Sequence, residues 1–204
     1  STQAFLRQAC ELIERPEVCA LRGALQMVLA EISLCEQSMR DSEEQLARWH
    51  ADDDIVHKLD EVSGIGLLTA SALKTAVGKP ERFASGRHLS AWLGMTPNEY
   101  SSGERRRLGC ISCKGNTYVR TLLIHGARAA LLAAKRCQTR TPERLTQLQR
   151  WALQTAERIG HNKAAVALAN KLVRICWAVW CHERRFSGDW QLSLIHISEP
   201  TRPR

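Results

Sequence analysis

Residues 55–77 read IVHKLDEVSGIGLLTASALKTAV: a short helical run, a turn with two glycines and a second helical run. Because glycine has no Cβ, Gly64 and Gly66 allow a tight turn and a close approach of another backbone. The pattern predicts a helix-hairpin-helix, whose turn and following helix start hold one phosphate through backbone N–H groups, independently of base sequence. An ordinary glycine turn between core helices is the alternative, and the basic charge of the surrounding chain favours phosphate binding.

Helical patterns continue on both sides of this stretch. Aromatic residues make up only 5% of the 204 residues, while Ala and Leu are abundant, which favours helices over a β-sandwich. The predicted fold class is therefore mainly α. Further helices are predicted at 1–15, 18–50, 88–93, 118–135, 142–159 and 162–182, and residues 94–103 have the composition of a turn-rich loop.

The clearest periodicity lies in residues 18–50, where apolar side chains recur at alternating steps of four and three. The members of this seam are Leu21, Leu25, Val28, Ile32, Cys35, Met39, Leu46 and Trp49, with Ser42 in one slot. Such spacing is typical of a coiled-coil helix. The seam fits pairing with another helix of the same chain as well as pairing with a second chain.

Three parts are expected along the chain. Residues 1–54 form a helical coiled-coil segment, and residues 55–190 form a helical domain that contains the hairpin. Residues 191–204 form a non-native or disordered tail, because residues 192–204 continue no pattern and resemble the translation of a sequencing-library adapter.

Charge is distributed unevenly between the two halves. Residues 1–60 carry a net charge of −6 and residues 61–204 a net charge of +14, so the second part is the candidate for binding a polyanion. The sequence contains no run of about 18 apolar residues and no signal-peptide pattern. A membrane protein and an exported protein are therefore not expected, and a reducing cytoplasm fits the cysteines.

No metal site is predicted. Cys110 and Cys113 have the spacing of a zinc knuckle, but a structural zinc site needs a second pair of ligands, and no close pair follows. The acidic run Asp52-Asp53-Asp54 is interpreted as a solvated helix connector.

Residues 55–182 resemble the C-terminal domain of the insertion-sequence 110/116/902 group of transposases. The resemblance rests on a succession of motifs, each weak alone: VSGIG (62–66), FASGR (83–87), AWLGMTP (91–97), YSSG (100–103), RLGCIS (107–112), RTLLIHGAR (120–128) and NKAAVALANK (162–171).

The resemblance implies an architecture and a set of partners. Members of the group have a RuvC-like domain with acidic metal ligands, then a coiled coil, then a serine-bearing transposase domain. They recombine DNA under the guidance of a structured RNA made by the element. Residues 1–50 then correspond to the coiled coil. The RuvC-like domain, with its expected Mg²⁺, is missing from this fragment, which itself needs no cofactor. Implied partners are DNA, the guide (bridge) RNA and a second copy of the chain.

The resemblance places the family's serine on Ser102, as the nucleophile of a covalent serine–DNA intermediate in strand cleavage and rejoining. The sequence departs from the family where Glu104-Arg105 replace Gly-Lys, and where Ser112-Cys113-Lys114 replace Ser-Lys. The first departure adds a carboxylate beside the serine.

Cations near the serine complete the predicted site. Arg105, Arg106 and Arg107, with Lys114, are candidates for stabilising phosphate charge, although a solvated basic face is the alternative. The fragment alone is expected to be inactive. The competing functions are a non-catalytic helix-hairpin-helix module and a coiled-coil interaction protein.

Overall fold

A computed structural model describes residues 2–13, 21–102, 105, 107–183 and 185–187. The described part is mainly α, as predicted. The elements in chain order are α1 (Thr2–Ile13), α2 (Arg22–Trp49), α3 (Asp54–Asp60), α4 (Leu67–Val77), α5 (Gly86–Trp92), β1 (Pro97–Glu99), β2 (Leu108–Ile111), α6 (Thr117–Arg140), α7 (Gln147–Ile159) and α8 (His161–His182), with short 3-10 helices at Pro80–Arg82 and Pro142–Arg144.

The chain divides into two compact units, Ser1–Ala51 and Asp52–Arg204. The first unit contains α1 and α2, and the Nε atom of Arg22 donates to the carbonyl oxygen of Ile13 at 3.0 Å where the two helices meet. Helix α2 has no buried residue. Its apolar seam is therefore open, with Val28 53% and Met39 63% exposed. Residues 18–20 of the predicted helix lie outside the described part.

The core of the second unit is built around α8. Eleven of its residues are buried, and α8 packs against α5, α6 and α7. Complete burial of a leucine such as Leu172 contributes about 1.5–3 kcal/mol. Among the described helices, α8 is the one with the length and hydropathy to cross a membrane, but most of its apolar surface is buried inside the unit.

Local polar groups start several helices of the second unit. Asn116 accepts from the backbone N–H of Val119 at the start of α6, and Thr146 forms a capping box with Gln149 at the start of α7. Asp53 accepts from the N–H of Val56 at 3.2 Å.

The acidic connector is solvated at Asp52 and Asp54, which are exposed, but not at Asp53. Its side chain is only 17% exposed, and it forms a short ion pair with Lys74 on α4. Asp53 therefore connects the start of α3 to α4. Lys74 and Asp53 are 21 positions apart in the sequence, so this contact forms only when the chain folds.

Candidate nucleic-acid interface

The predicted serine lies in a β-hairpin. Strands β1 and β2 pair antiparallel, with Pro97 opposite Ile111 and Glu99 opposite Leu108. The register shifts between these pairs because β2 carries an extra residue there. The sequence pattern predicts a turn-rich loop here. It misses the strands because they are only three and four residues long and depend on pairing with each other.

The end of the hairpin is closed by backbone hydrogen bonds between its two arms. The N–H of Tyr100 donates to the carbonyl of Arg107 at 2.8 Å. Ser102 and Arg105 exchange N–H···O bonds of 3.3 and 3.2 Å, which form an isolated bridge. Both residues are exposed. Positions 103, 104 and 106, including the predicted Arg106 and the departure at Glu104, lie outside the described residues.

The two adjacent serines have different surroundings. The hydroxyl of Ser101 donates to Oε1 of Glu99 at 2.7 Å and accepts from the backbone N–H of Arg107 at 3.1 Å. Within the part of the chain that the structure describes, the hydroxyl of Ser102 has no hydrogen bond. Ser101 thus helps to hold the two arms together, whereas Ser102 is exposed.

The base of the hairpin is fixed much more firmly than its end. Gly94 has a φ of +72°, and a Cβ at this position would lie 2.1 Å from the carbonyl oxygen of Lys114. The N–H of Cys113 donates to the carbonyl of Gly94 at 3.1 Å. From α8, the side-chain amide of Asn170 donates to the carbonyl of Met95 at 2.9 Å. The sequence offers no signal for this role of Asn170, because it depends on a contact across 75 positions.

Arg120 of α6 also fixes the segment at the base of the β-hairpin. Its guanidinium is buried, and Nη1 donates to the carbonyl of Leu93 at 3.1 Å, at the end of α5. Nη2 donates to the hydroxyl of Thr117 at 3.2 Å. Helices α5, α6 and α8 therefore all anchor the segment from which the hairpin projects.

The predicted cations are only partly brought together. Arg105 and Arg107 are exposed at the end of the hairpin beside the serines, whereas Lys114 is exposed at its base. Within the described residues, no carboxylate forms an ion pair with Arg105 or Arg107.

Gly64 and Gly66, the two glycines in the turn of the predicted helix-hairpin-helix, have different surroundings. Gly64 has a φ of +93°, and a Cβ there would lie 2.9 Å from Cβ of Ala130 and 3.0 Å from the carbonyl oxygen of Gly126. Gly64 therefore packs on α6. Gly66 precedes α4 and is exposed, with open space where a Cβ would be. Of the two, only Gly66 leaves room for a phosphate, and phosphate binding at this turn stays a prediction.

The part of the chain that the structure describes contains no set of side chains arranged to bind a metal ion. No group of three or more His, Cys, Asp or Glu side chains comes close enough there to hold an ion. Cys110 and Cys113 are exposed free thiols on and beside β2.

Comparison with known proteins gives consistent matches. Residues 56–142 match the family model described as Transposase IS116/IS110/IS902 family. The chain is 36% identical over 183 residues to a probable family 20 transposase of Pseudomonas aeruginosa, which covers 90% of this chain and 52% of that protein. It is 33% identical over 166 residues to the transposase for insertion sequence element IS1111A of Coxiella burnetii, covering 81% of this chain and 44% of that protein.

A third relative is the transposase for insertion sequence element IS1328 of Yersinia enterocolitica, 35% identical over 154 residues, with coverage of 76% and 44%. The chain thus spans about half the length of the curated relatives that it matches.

Proposed function

Because residues 56–142 belong to the IS116/IS110/IS902 transposase family, we propose that this chain is part of an insertion-sequence transposase that cleaves and rejoins DNA through Ser102. The observation that carries the proposal is the contrast between neighbouring hydroxyls. Ser101 is engaged by Glu99 and Arg107, and Ser102 is exposed at the hairpin end with no hydrogen bond of its hydroxyl among the described residues.

The proposed chemistry is an exchange of phosphate esters. The Oγ atom of Ser102 bonds to a backbone phosphorus of DNA, and one P–O bond of that phosphodiester breaks. The leaving strand departs as an alcohol. Its leaving oxygen gains one proton, which balances the proton that the serine hydroxyl loses. One ester replaces another, so rejoining is the reverse exchange and needs no external energy source. A serine hydroxyl must be activated and positioned for this step.

The cations at the hairpin end support the same step. Negative charge grows on the phosphate oxygens as the phosphorus becomes five-coordinate, and guanidinium groups stabilise it through charge-assisted hydrogen bonds. Arg105 and Arg107 lie beside Ser102 and Ser101 and are exposed. We assign this role to both and to Arg106 between them, with Lys114 and the turn at Gly66 as further phosphate contacts.

Mg²⁺ belongs, in this proposal, to the RuvC-like domain that the resemblance implies. The described residues of this chain do not bring together a set of ligands for it. In this proposal Ser102 supplies the nucleophile, and the arginines stabilise the charge on the phosphate. The proposed partners of the whole protein are DNA, the guide RNA and a second copy of the chain, in the cytoplasm.

The decisive experiment detects the covalent protein–DNA adduct on a denaturing gel. It is made in the chain joined to a RuvC-like domain, with guide RNA and Mg²⁺, because the fragment alone is expected to be inactive. Ser102→Ala should eliminate the adduct and retain DNA binding, whereas Ser101→Ala should retain the adduct. An adduct that survives Ser102→Ala contradicts the assignment. DNA binding with no adduct in any variant supports a non-catalytic nucleic-acid-binding module instead.

A further inference from the structure

The start of α5 packs directly on the backbone of α8. Gly86 is buried, and a Cβ at this position would lie 2.9 Å from Cα of Arg174 and 3.1 Å from its carbonyl oxygen. No larger residue fits there without moving a helix backbone. Arg87, the next residue, is exposed. The side chains of Arg87 and Arg174 therefore leave from adjoining segments of backbone.

A third cation joins them from α8. Lys171 precedes Arg174 by three positions, so the two side chains are neighbours on the helix surface. The Nζ atom of Lys171 lies 3.9 Å from the centre of the Trp151 ring on α7, a cation–π contact. Lys171 and Arg174 are both half-buried. Of the three cations, Arg87 is thus at the surface, and Lys171 is partly covered by the Trp151 ring.

The positive charge of the two α8 side chains is not balanced within the described residues. No described carboxylate forms an ion pair with Lys171 or Arg174. The Nε atom of Arg174 is buried and has no hydrogen-bond partner there. Burial and the neighbouring Arg87 lower the pKa of Arg174, and burial and Arg174 lower the pKa of Lys171 to about 8. Two partly desolvated cations side by side, such as Lys171 and Arg174, are unfavourable in the free protein unless an anion binds near them.

We propose that Arg87, Lys171 and Arg174 form a phosphate-binding site, and that its occupant is a backbone phosphodiester of DNA. A guanidinium presents several N–H donors in a planar fork that matches phosphate oxygens, and the unpaired Nε of Arg174 is one such donor. An ammonium adds a point charge. The identification of DNA as the source rests on the proposed function, whereas the affinity for phosphate rests on this cluster alone.

The position of the cluster suits a second contact on the same DNA. Asn170, which holds the base of the serine hairpin through the Met95 carbonyl, immediately precedes Lys171 in α8. The three cations come from α5 and α8, two of the helices that anchor the hairpin. A phosphate held there restricts how the strand lies relative to the hairpin, and it contributes affinity without reading bases.

The first test measures binding of a short fluorescent DNA duplex to the 204-residue chain over a salt series. Arg174→Gln and Arg87→Gln should each lower the slope of log affinity against log salt, and the double variant should lower it by about 0.9, the value for the one phosphate that the two arginines share. Arg136→Gln is the matched control, since it removes one exposed arginine from α6 and should keep the wild-type slope. The melting temperature of Arg174→Gln should not fall, because the charge that it removes has no ion-pair partner among the described residues. If Arg174 had only a structural role, the variant would melt at a lower temperature.

The second test replaces chloride by inorganic phosphate at equal ionic strength and records the melting temperature. Phosphate should stabilise the wild type and Arg136→Gln more than Arg174→Gln. Loss of the phosphate effect with an unchanged DNA slope would assign the site to free phosphate and overturn the DNA assignment. No change in either measurement would overturn the site itself.

The experiments can contradict the phosphate site without contradicting strand exchange at Ser102, and the reverse. A protein that forms the Ser102 adduct but whose salt slope is insensitive to Arg174 contradicts this inference alone. A protein whose slope depends on Arg174 but which forms no adduct in the full-length context contradicts strand exchange at Ser102 alone.

Discussion

Gly64 and Gly126 lie so close that a Cβ at Gly126 would be 2.0 Å from the carbonyl oxygen of Gly64. This contact joins the turn between α3 and α4 to the middle of α6. Gly64 also has a φ of +93°, which a residue with a Cβ adopts only under strain. The glycine turn is therefore a packing junction in the second unit, in addition to the phosphate-binding role predicted for it.

Gly126→Ala should lower the free energy of unfolding. The added methyl group collides with backbone, and the cost of such overpacking exceeds the gain of about 1 kcal/mol in helix propensity. We expect a net loss of about 2 kcal/mol or more, measured by urea denaturation. Gly66→Ala, which adds a methyl in open space, should cost about 1 kcal/mol or less, through the weaker helix cap alone. Equal losses for the two variants would contradict the close contact.

DNA affinity should depend on the arginines of the hairpin end. Arg105→Gln and Arg106→Gln should each lower the log–log salt slope by about 0.9 if each arginine neutralises one phosphate. Arg48→Gln is the control, because Arg48 lies on α2 in the acidic part of the chain and pairs with Glu44 at 3.4 Å. An unchanged slope in both hairpin variants would identify these arginines as a solvated basic face.

The open seam of α2 should mediate self-association. Leu25→Asp with Ile32→Asp introduces two charges at seam positions, which would be buried and unpaired in a helix pair. Sedimentation should show a monomer for this double variant and a larger species for the wild type. Gln26→Asp with Ser33→Asp adds the same charge at the same spacing outside the seam and should leave the oligomer unchanged. An oligomer that survives the seam variant would exclude intermolecular pairing.

Two of the groups of α8 whose pKa is shifted, Lys171 and Cys176, should affect the pH dependence of stability in opposite directions. The pKa of Lys171 is lowered to about 8 from its ordinary 10.5, so between these values the unfolded chain binds a proton that the folded chain has lost. Stability from this group therefore rises with pH across that window. Burial raises the pKa of Cys176 to about 12 from 9.0, so above pH 9 the unfolded chain releases a proton that the folded chain keeps, and stability falls.

Chemical denaturation from pH 8 to 10 can separate the two effects. Relative to wild type, Lys171→Met should lose the rise with pH, and the difference should already grow between pH 8 and 9. Cys176→Ala should change the slope only above pH 9, in the upward direction. Parallel profiles for wild type and Lys171→Met would show that the lysine titrates near its ordinary value in the folded protein.

The order of residues by itself determined where the main helices of this protein lie. Residues 162–182 and 118–135 are predicted to be helical, and the structure has α8 at His161–His182 and α6 at Thr117–Arg140, which ends five residues later than predicted. Such predictions are possible because a helix is formed by contacts within one or two turns. The succession of motifs from VSGIG to NKAAVALANK indicates the transposase family, and residues 56–142 match the model of that family. The same motifs point to Ser102, whose role as nucleophile stays a prediction.

Tertiary structure decided what depends on residues distant in sequence. The short strands β1 and β2 exist through their pairing, so their local composition predicts only a loop. The acidic run predicts a solvated connector, and Asp52 and Asp54 are indeed exposed. Asp53 is the exception, because folding brings Lys74 to it. The difference between Ser101 and Ser102 likewise required the hairpin, because it depends on which hydroxyl meets Arg107 across the strands.

The same distinction separates the two sets of cations. Arg105, Arg106 and Arg107 are adjacent in the chain, so the sequence alone determined that positive charge follows Ser102. Arg87 and Arg174 are 87 positions apart in the sequence. Their proximity depends on the missing side chain of Gly86, which allows α5 to approach the backbone of α8. Local chemistry is determined by the order of residues, whereas a cluster drawn from separate helices is determined by how those helices pack.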